Sequence, residues 1–376
     1  MKRTHFIVAG FFAVACLVGL FFALRARVHD PQSASAAKFR EADRRLAVRR
    51  GLQVLIARAR DPKVFMEYGA DLLWCLYSIA STSADPELSE TAWSAARERA
   101  REYRRLHPVV PDDVGPDDVA TLANGDYSAE VIGVPDESFK KQIRRAAARF
   151  TPQDFLWYDP VREPPPSDVP NTCSRCGHVN NRGAKICRRC GAPLKMQSRY
   201  DVWLDSLINT WLGDRYGVVL GAHYSDVIGW APLMRPYRPR AGNPEFIQTV
   251  YAVTHIVYTL NDYSKYQLSP RCLPDEFNFL KATLTEAVAL QDSETMGEFL
   301  DSLRAFGLTE SDPLIRTGMD YLLRTQNPDG SWGEVDTSDL YGYHPTWTAV
   351  DGLREYRWKE VLCPALPHSP FLAPPR

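Results

Sequence analysis

The feature that most limits the possible folds of this chain is a succession of helix-like segments separated by proline, glycine, aspartate and asparagine. Apolar residues recur in these segments at helical spacing, whereas the alternation typical of strands is scarce. Beyond residue 198 the segments recur as pairs at intervals of roughly 45 residues, which is typical of stacked helical hairpins. The sequence therefore predicts an all-α protein from about Lys38 onward.

The composition is that of a large globular protein. The chain has 376 residues, of which 45% are hydrophobic and 11% aromatic, and its formal net charge is −1. This supplies enough apolar surface for a large core. The near-neutral charge gives no clear signal for binding nucleic acid.

The N-terminus begins with an uncharged apolar run over residues 6–24, which is long enough to cross a bilayer. A cleaved signal peptide is the alternative, but its A-x-A site at 34–36 lies well beyond the run and behind Arg25 and Arg27. We therefore expect an uncleaved membrane anchor. Lys and Arg after the span outnumber those before it, which places the body of the protein on the cytoplasmic side; the short basic head alone predicts the reverse.

Four of the eight cysteines form a cluster: Cys173, Cys176, Cys187 and Cys190. Their spacing is Cys-x2-Cys, ten residues, Cys-x2-Cys, and a glycine follows each pair. Each Cys-x2-Cys turn directs two thiolates at one ion, and four thiolates give a closed tetrahedral site for Zn²⁺. Two disulfides or an iron–sulfur centre are the alternatives. We interpret the cluster, which resembles the zinc-ribbon family over residues 173–194, as a structural zinc site.

The cysteine segment is also basic, with six Lys and Arg residues and no acid between residues 175 and 195. This composition suits an acidic or nucleic-acid partner, but we favour a solvated surface, and a protein partner at the ribbon is a hypothesis. Thiolate sites persist best in a reducing compartment, which agrees with the cytoplasmic orientation.

The stretch QNPDGSWG, residues 326–333, follows a helix-like run. Asn-Pro-Asp-Gly predicts a turn in which Gly330 takes a positive φ. The Gln326 amide is placed to bond free backbone groups at a helix end, beside the Trp332 ring. A second aromatic run, YHPTWTAVDGL at 343–353, comes shortly afterwards.

These two stretches resemble motifs of the terpene cyclase and protein prenyltransferase families. The first is similar to the QW motif of squalene cyclases, and the Tyr343-His344 pair is similar to an inner-helix start that supplies a zinc-binding histidine in prenyltransferase β-subunits. The resemblance implies an α/α toroid of helical hairpins around a central cavity, with His344 as a metal ligand facing it. The chain lacks both the Asp-x-Asp-Asp acid motif and the Asp-x-Cys ligand pair.

Three histidines, His223, His255 and His344, each head or enter an apolar helix-like run. On a toroid they could converge on one cavity and share a second metal ion, since three imidazoles suit several transition metals. The alternative for each is a hydrogen-bonded core or rim histidine. Acidic residues that could assist are Asp226, Asp262, Glu294 and Glu298, and the catalytic candidates are Asp262, Glu298 and Tyr343.

The tyrosine and tryptophan residues are dense in the second half of the chain. In a cavity they could hold a flat or apolar substrate, whereas most of them are expected to pack helices together. The residues concerned are Trp203, Trp211, Tyr224, Trp230, Tyr251, Tyr258, Tyr263, Trp332, Tyr341, Tyr343 and Trp347.

The predicted domain order joins these elements. It comprises an anchor at 1–29, a linker at 30–37, one half of the toroid at 38–166, the zinc ribbon at 167–197, the other half at 198–362 and a proline-rich tail at 363–376. The predicted function is an enzyme that uses the His-lined cavity, with or without a bound metal, on an apolar or peptide substrate. The alternative is a non-catalytic protein whose toroid and ribbon mediate protein interactions.

Overall fold

The computed structural model describes residues 31–335, 339–370 and 372, with side chains described from Arg40 onward. The secondary structure in these ranges is almost entirely helical, which confirms the predicted all-α class. The helices are α1 Pro31–Arg60, α2 Pro62–Thr82, α3 Pro86–Leu106, α4 Pro116–Ile132, α5 Glu137–Ala147, α6 Pro152–Leu156, α7 Arg199–Tyr216, α8 Tyr224–Ile228, α9 Ala231–Met234, α10 Phe246–Leu260, α11 Pro274–Leu290, α12 Ser293–Ala305, α13 Pro313–Thr325 and α14 His344–Leu353.

The chain divides into two units, residues 1–46 and residues 47–376. The described part of the first unit is the beginning of α1, where Arg45 and Glu41 form an ion pair at 2.5 Å. The second unit contains the cavities, the disulfide and the cysteine cluster described below.

Asp-Pro pairs set the start of several helices in the second unit. Asp61, Asp85 and Asp312 precede α2, α3 and α13, and each carboxylate accepts backbone N–H bonds from the first turn. The proline that follows occupies the first helical position, where its missing N–H is not needed. A carboxylate cap and this proline both favour helix initiation at these points.

The helices of the second unit pack in two rows. We call α2, α4, α7, α10, α12 and α14 the inner row, because each packs against the next one in this order. Helices α3, α5, α11 and α13 pack against members of that row. A helix of the inner row thus alternates along most of the chain with a helix outside it.

The closest approach within the inner row is between α12 and α14. A Cβ at Gly297 would lie 2.3 Å from the Thr348 backbone, and a Cβ at Gly352 would lie 3.1 Å from Gly297 Cα. Helix α12 is also buried along nearly its whole length, with only Glu294 partly exposed. The absence of side chains at the two glycines therefore sets how near the residues of α12 come to those of α14.

The QNPDGSWG segment ties three helices together. The Gln326 amide donates to Ala47 O of α1 at 2.9 Å and to Gly330 O at 3.0 Å. The buried Trp332 donates through Nε1 to Leu322 O of α13 at 2.8 Å. Gly330 has a φ of 97°, as the turn sequence predicts. The segment satisfies the carbonyl groups at the end of α13 and fixes the entry to α14.

A disulfide joins two cysteines that are 91 residues apart in sequence, Cys272 and Cys363. It lies next to a short parallel pair of strands, β1 Gln267–Leu268 and β2 Val361–Leu362. Disulfides persist in oxidising surroundings. The argument from ribbon thiolates to a reducing compartment therefore loses its support.

The predicted linker is helical where it is described. Residues 31–37 form the first two turns of α1 rather than an irregular connection. Pro31 suits the first helical position, and Ala34, Ala36 and Ala37 have high helix propensity.

The predicted membrane-anchored localisation is corrected by the structure. Among the described residues, no helix is both long and apolar enough to cross a membrane. Helix α2 has 21 residues but carries Lys63, Glu67 and Asp71, and the apolar α10 has only 15 residues, fewer than the roughly 20 that a span requires. The span predicted over residues 6–24, and with it the cytoplasmic orientation, lies outside the described residues.

Candidate functional site

The inner row surrounds a cavity, which we call the central pocket. Its volume is about 290 Å³, and each of the six helices of the row contributes to its wall. The lining residues are Asp71, Trp74, Asn124, Leu204, Ile208, Trp211, Leu212, Tyr251, His255, Tyr263, Glu294, Glu298, Tyr341, His344 and Trp347.

Two further cavities adjoin the central pocket. The outer chamber, of about 530 Å³, shares with it the residues Asp71, Asn124, Ile208, Leu212 and Tyr341. The inner recess, of about 50 Å³, shares with it His255, Tyr263, Glu298, His344 and Trp347. The central pocket therefore adjoins both of the other cavities.

His344, the first residue of α14, is paired with a carboxylate of α12. Its Nδ1 lies 3.1 Å from Glu294 Oε1, and the Tyr251 hydroxyl donates to the same oxygen at 3.0 Å. Burial lowers the pKa of His344, but the bond to Glu294 and the charges of Glu294, Asp71 and Glu298 outweigh it, so the pKa lies above its usual value. Burial raises the pKa of Glu294, and the bond to His344 reverses this to a net lowering.

His255 lies in the same pocket but has the opposite electrostatic character. Its Nδ1 is 2.8 Å from the Tyr251 carbonyl oxygen, so Nδ1 carries the proton and Nε2 is left as the acceptor. Burial, assisted by the charge of His344, lowers the pKa of His255 to about 4. The imidazole is therefore neutral at pH 7 and can accept a proton or bind a ligand through Nε2.

Glu298 is the most deeply buried carboxyl group of the central pocket, with 2% of its surface exposed. The Thr254 hydroxyl donates to Glu298 Oε2 at 2.5 Å, and Oε1 has no hydrogen-bond partner in the described part of the chain. Burial raises the pKa of Glu298 to about 8, against the lowering effect of the Thr254 bond. At pH 7 the group is consequently a neutral acid, with one oxygen available to a ligand.

The floor of the inner recess is a buried charge network. The Ser264 hydroxyl donates to Asp301 Oδ1 at 3.1 Å, and Arg354 Nε donates to Asp351 Oδ1 at 2.6 Å. Burial and the charge of Asp351 raise the pKa of Asp301 to about 7. These residues line the inner recess together with Glu298.

A turn of unusual backbone conformation presents Tyr263 to both the central pocket and the inner recess. Three consecutive residues have positive φ, namely Asp262 at 55°, Tyr263 at 50° and Ser264 at 65°. Such conformations cost on the order of 1 kcal/mol or more each in residues other than glycine, and they cluster at functional sites. The Tyr263 ring packs 5.1 Å from Trp74 and 4.8 Å from Trp211, between centroids.

The three predicted metal-binding histidines do not converge. His255 and His344 line the central pocket, but the His223 side chain is 62% exposed and pairs with Asp214 at 2.8 Å. In the described part of the chain, the cysteine cluster is the one group of residues with the geometry of a metal site. A histidine that precedes an apolar helix can face a cavity or solvent, and the sequence pattern does not separate the two cases.

Of the other residues selected from the sequence, some line a cavity and some do not. Glu298 lines the central pocket, and Tyr343 lines the outer chamber and donates through its hydroxyl to Asp71. Asp262 lines none of the three cavities and pairs instead with Lys265 at 3.0 Å and Arg215 at 3.4 Å. Asp226 accepts the backbone N–H of His223 and so caps α8.

Several lining residues were missed by the sequence analysis, in particular Asp71, Trp74 and Asn124. A signal was present for Asp71, because it is a carboxylate in the middle of a helix that is apolar on most faces. Such residues are rarely buried without a role. The sequence gives no comparable signal for Asn124, which lies in a helix of mixed composition.

The four ribbon cysteines form a second candidate site. Their sulfur atoms all lie within 4.8 Å of one another, with 3.6 Å between Cys173 and Cys190 and the same distance between Cys176 and Cys187. None of the four is in a disulfide. Tetrahedral Zn–S bonds of about 2.3 Å require sulfur separations of about 3.8 Å. The cluster can therefore hold a metal ion such as zinc, as the spacing predicts.

The two Cys-x2-Cys turns of the ribbon have the same backbone structure. Gly177 N donates to Cys173 O at 2.8 Å and Gly191 N donates to Cys187 O at 2.9 Å. Both glycines have positive φ, of 66° and 72°. The buried Asn180 accepts from Arg188 N at 2.9 Å and so links the two turns.

No family model matches this chain, and comparisons with curated proteins and with solved structures find no match.

Proposed function

We propose that residues 47–376 form an α/α toroid of helical hairpins and that the central pocket is the active site of an enzyme working by acid–base catalysis. The inner row supports the ring arrangement, since six successive helices each supply lining residues to one cavity. The QW-like segment joins α1, α13 and α14 in a way that would close such a ring.

The proposed activity rests on two residues of one pocket, Glu298 and His255, whose protonation states at pH 7 are the reverse of those usual for glutamate and histidine. Glu298 keeps its proton at pH 7 because its pKa is about 8, and His255 lacks one because its pKa is about 4. When the surroundings of two groups in one site move their pKa values apart in this way, one group can act as the acid and the other as the base. The His344–Glu294 pair lines the same pocket, and its Nδ1 and Oε1 atoms are 3.1 Å apart.

This arrangement suits hydrolysis or elimination. Glu298 gives its proton to the leaving atom of the substrate, and His255 Nε2 takes a proton from the attacking water or from the substrate. One proton is donated and one is accepted, so the pocket ends with the charge it had at the start. The aromatic wall formed by Trp74, Trp211 and Trp347 would bind an apolar part of the substrate.

We further propose that the ribbon holds Zn²⁺ through Cys173, Cys176, Cys187 and Cys190. Four thiolates leave no open coordination position, so the ion would have a structural role. It would stabilise a segment that has few apolar residues of its own to bury.

The alternative function, a non-catalytic interaction protein, is supported by the ribbon surface. Val179, Ile186 and Met196 are exposed there, at 52%, 61% and 37%. Exposed lysine and arginine residues accompany them. A surface that is both basic and partly apolar suits contact with another protein.

The test of the enzymatic proposal uses Glu298→Gln, which imitates the protonated carboxyl group in size and polarity. Chromogenic glycosides, esters and aminoacyl anilides would be screened with the wild type. For any substrate turned over, Glu298→Gln is expected to reduce turnover about 10²- to 10⁴-fold. The control is Glu90→Gln, which changes an exposed carboxylate and should leave turnover unchanged.

The pKa values give a test that needs no substrate. NMR titration of the carboxyl carbon of Glu298 and the imidazole of His255 should find the carboxyl titrating at the higher pH. Titration of Glu298 near 4 and of His255 near 6.5 would remove the basis of the proposal and leave the interaction protein as the better reading.

A further inference from the structure

The walls of the central pocket and the outer chamber carry acidic side chains but no lysine or arginine among the described residues. The carboxyl groups that line the two cavities are Glu67, Asp71, Asp117, Asp205, Glu294 and Glu298. His344, whose pKa is raised chiefly by its pairing with Glu294, lies 3.1 Å from that carboxylate. A substrate therefore approaches through a chamber with a negative wall.

Asp71 lies where the outer chamber meets the central pocket and lines both of them. The Tyr343 hydroxyl donates to Asp71 Oδ2, and within the described ranges no residue donates to Oδ1. In the central pocket, Glu298 is 2% exposed and also has one oxygen without a partner. Two oxygen atoms in adjoining cavities are thus available to groups of a ligand.

Aromatic rings surround Asp71. Tyr68, Tyr341 and Tyr343 form a cluster with centroid distances of 5.5 to 5.6 Å, and all three line the outer chamber. Trp74, one helical turn after Asp71, lines the central pocket. A carboxylate beside aromatic faces binds an organic cation by charge and by cation–π attraction.

Anionic and neutral ligands fit this wall less well. An anion would meet carboxylates with no basic side chain to balance them. A neutral polyhydroxylated ligand could bond the same oxygen atoms, but it would not relieve the repulsion between them. That repulsion is present in the outer chamber, where burial and the charges of Asp201 and Asp117 raise the pKa of Asp205 to about 7.

We infer that the substrate carries a positively charged amine or guanidinium group, which binds beside Asp71 while the reacting bond reaches Glu298 and His255. The inference rests on the proposed function, because it places this group relative to the acid and the base. It narrows the predicted apolar or peptide substrate to one with a cationic group, such as a basic peptide or an amine with an apolar body.

The test compares three planar probes of nearly equal size. Benzamidinium is a cation, benzamide is neutral and benzoate is an anion, and their binding is measured by isothermal titration calorimetry at pH 7. Benzamidinium is expected to bind at least about tenfold more tightly than benzamide, since each 1.4 kcal/mol is tenfold. Its affinity should fall as salt is raised. Equal or tighter binding of benzamide or benzoate would overturn the inference.

Asp71→Asn locates the binding site. The asparagine oxygen can still accept the Tyr343 bond, so the expected change is a roughly tenfold loss of benzamidinium affinity with benzamide unaffected. Asp205→Asn, in the outer chamber, is a second variant if the first fails to fold. Asp113→Asn is the matched control, since it changes an exposed carboxylate that lines neither cavity. Unchanged benzamidinium affinity in the variants that fold would refute a site beside Asp71.

The two proposals fail in different ways. If benzamidinium binds selectively but Glu298→Gln leaves turnover intact, the acid–base proposal is wrong and the cation site stands. If Glu298→Gln abolishes turnover of a neutral substrate and benzamidinium shows no selectivity, the cation site is wrong and the acid–base proposal stands.

Discussion

The ribbon and the central pocket are both sites built from a few polar side chains, but they are assembled in opposite ways. The four ribbon ligands lie between residues 173 and 190, and two short turns place them. The pocket draws Asp71, His255, Glu298 and His344 from four different helices. Local turns determine the geometry of the ribbon, whereas packing of distant helices determines the geometry of the pocket.

This difference predicts what each site depends on. The ribbon has few buried side chains, so a metal ion held by its four thiolates would supply much of its stability. The pocket depends on contacts such as the one between Gly297 and Gly352, which hold α12 against α14. We therefore expect loss of the metal to unfold the ribbon but not the helices. We expect substitutions of polar pocket residues to reduce activity without unfolding the protein.

The largest expected effect is the loss of the ribbon metal. Cys176→Ser removes one of four thiolates from a site whose zinc affinity in comparable peptides is about 10–16 kcal/mol. Stoichiometric zinc, measured by mass spectrometry, should disappear, and residues 167–197 should become sensitive to protease. Far-UV circular dichroism should change little, because the helices lie outside the ribbon.

Ser174→Ala is the control for this substitution, since it changes an exposed ribbon residue that is not a ligand. A loss of helical signal in Cys176→Ser, but not in the control, would mean that ribbon and helices fold as one. The contrast between the two regions would then not hold.

The next effect concerns the pH dependence of stability in Glu298→Gln. Burial raises the pKa of Glu298 to about 8 in the folded state, against about 4.3 in the unfolded chain. Below pH 4 both states are protonated, so the wild type has no penalty. As the pH rises, the unfolded chain ionises first, and the wild type loses stability up to about pH 8.

Glutamine does not ionise, so the variant should match the wild type near pH 4 and exceed it in stability at pH 9. Each unit of pKa shift corresponds to about 1.4 kcal/mol. Urea unfolding at pH 4, 7 and 9 measures this difference. For Glu90→Gln, the exposed control, the difference in unfolding free energy from wild type should not change with pH. If the same difference for Glu298→Gln is also constant with pH, then the pKa of Glu298 is not raised by folding.

The sequence analysis predicted the local features best. The cysteine spacing and the turn at Gly330 each depend on a few neighbouring residues, and both are present. The segment predicted as a linker is helical over residues 31–37, because alanine favours helix. Helical class follows from periodicity, but the order in which helices pack does not.

The candidate site was only partly predictable for the same reason. Glu298 and His344 were selected, but nothing in their neighbourhood showed that Asp71 would lie in the same cavity. His223 has the same kind of sequence context as His344, a histidine ahead of an apolar helix, and yet its side chain faces solvent. Residue type and spacing identify chemistry, and only the packing shows which groups meet.

The smallest expected effect is that of His223→Ala on stability, and it tests whether His223 lies outside the functional site. The hydrogen bond to Asp214 raises the pKa of His223, so its contribution to stability is full below about pH 6.5 and is lost as the pH rises through the folded pKa. Because the pair is largely exposed, the contribution is at most about 1 kcal/mol. The variant should lose a little stability at pH 5.5 and none at pH 9, with turnover unchanged. Loss of turnover in His223→Ala, with the fold intact, would contradict the assignment of the site to the central pocket.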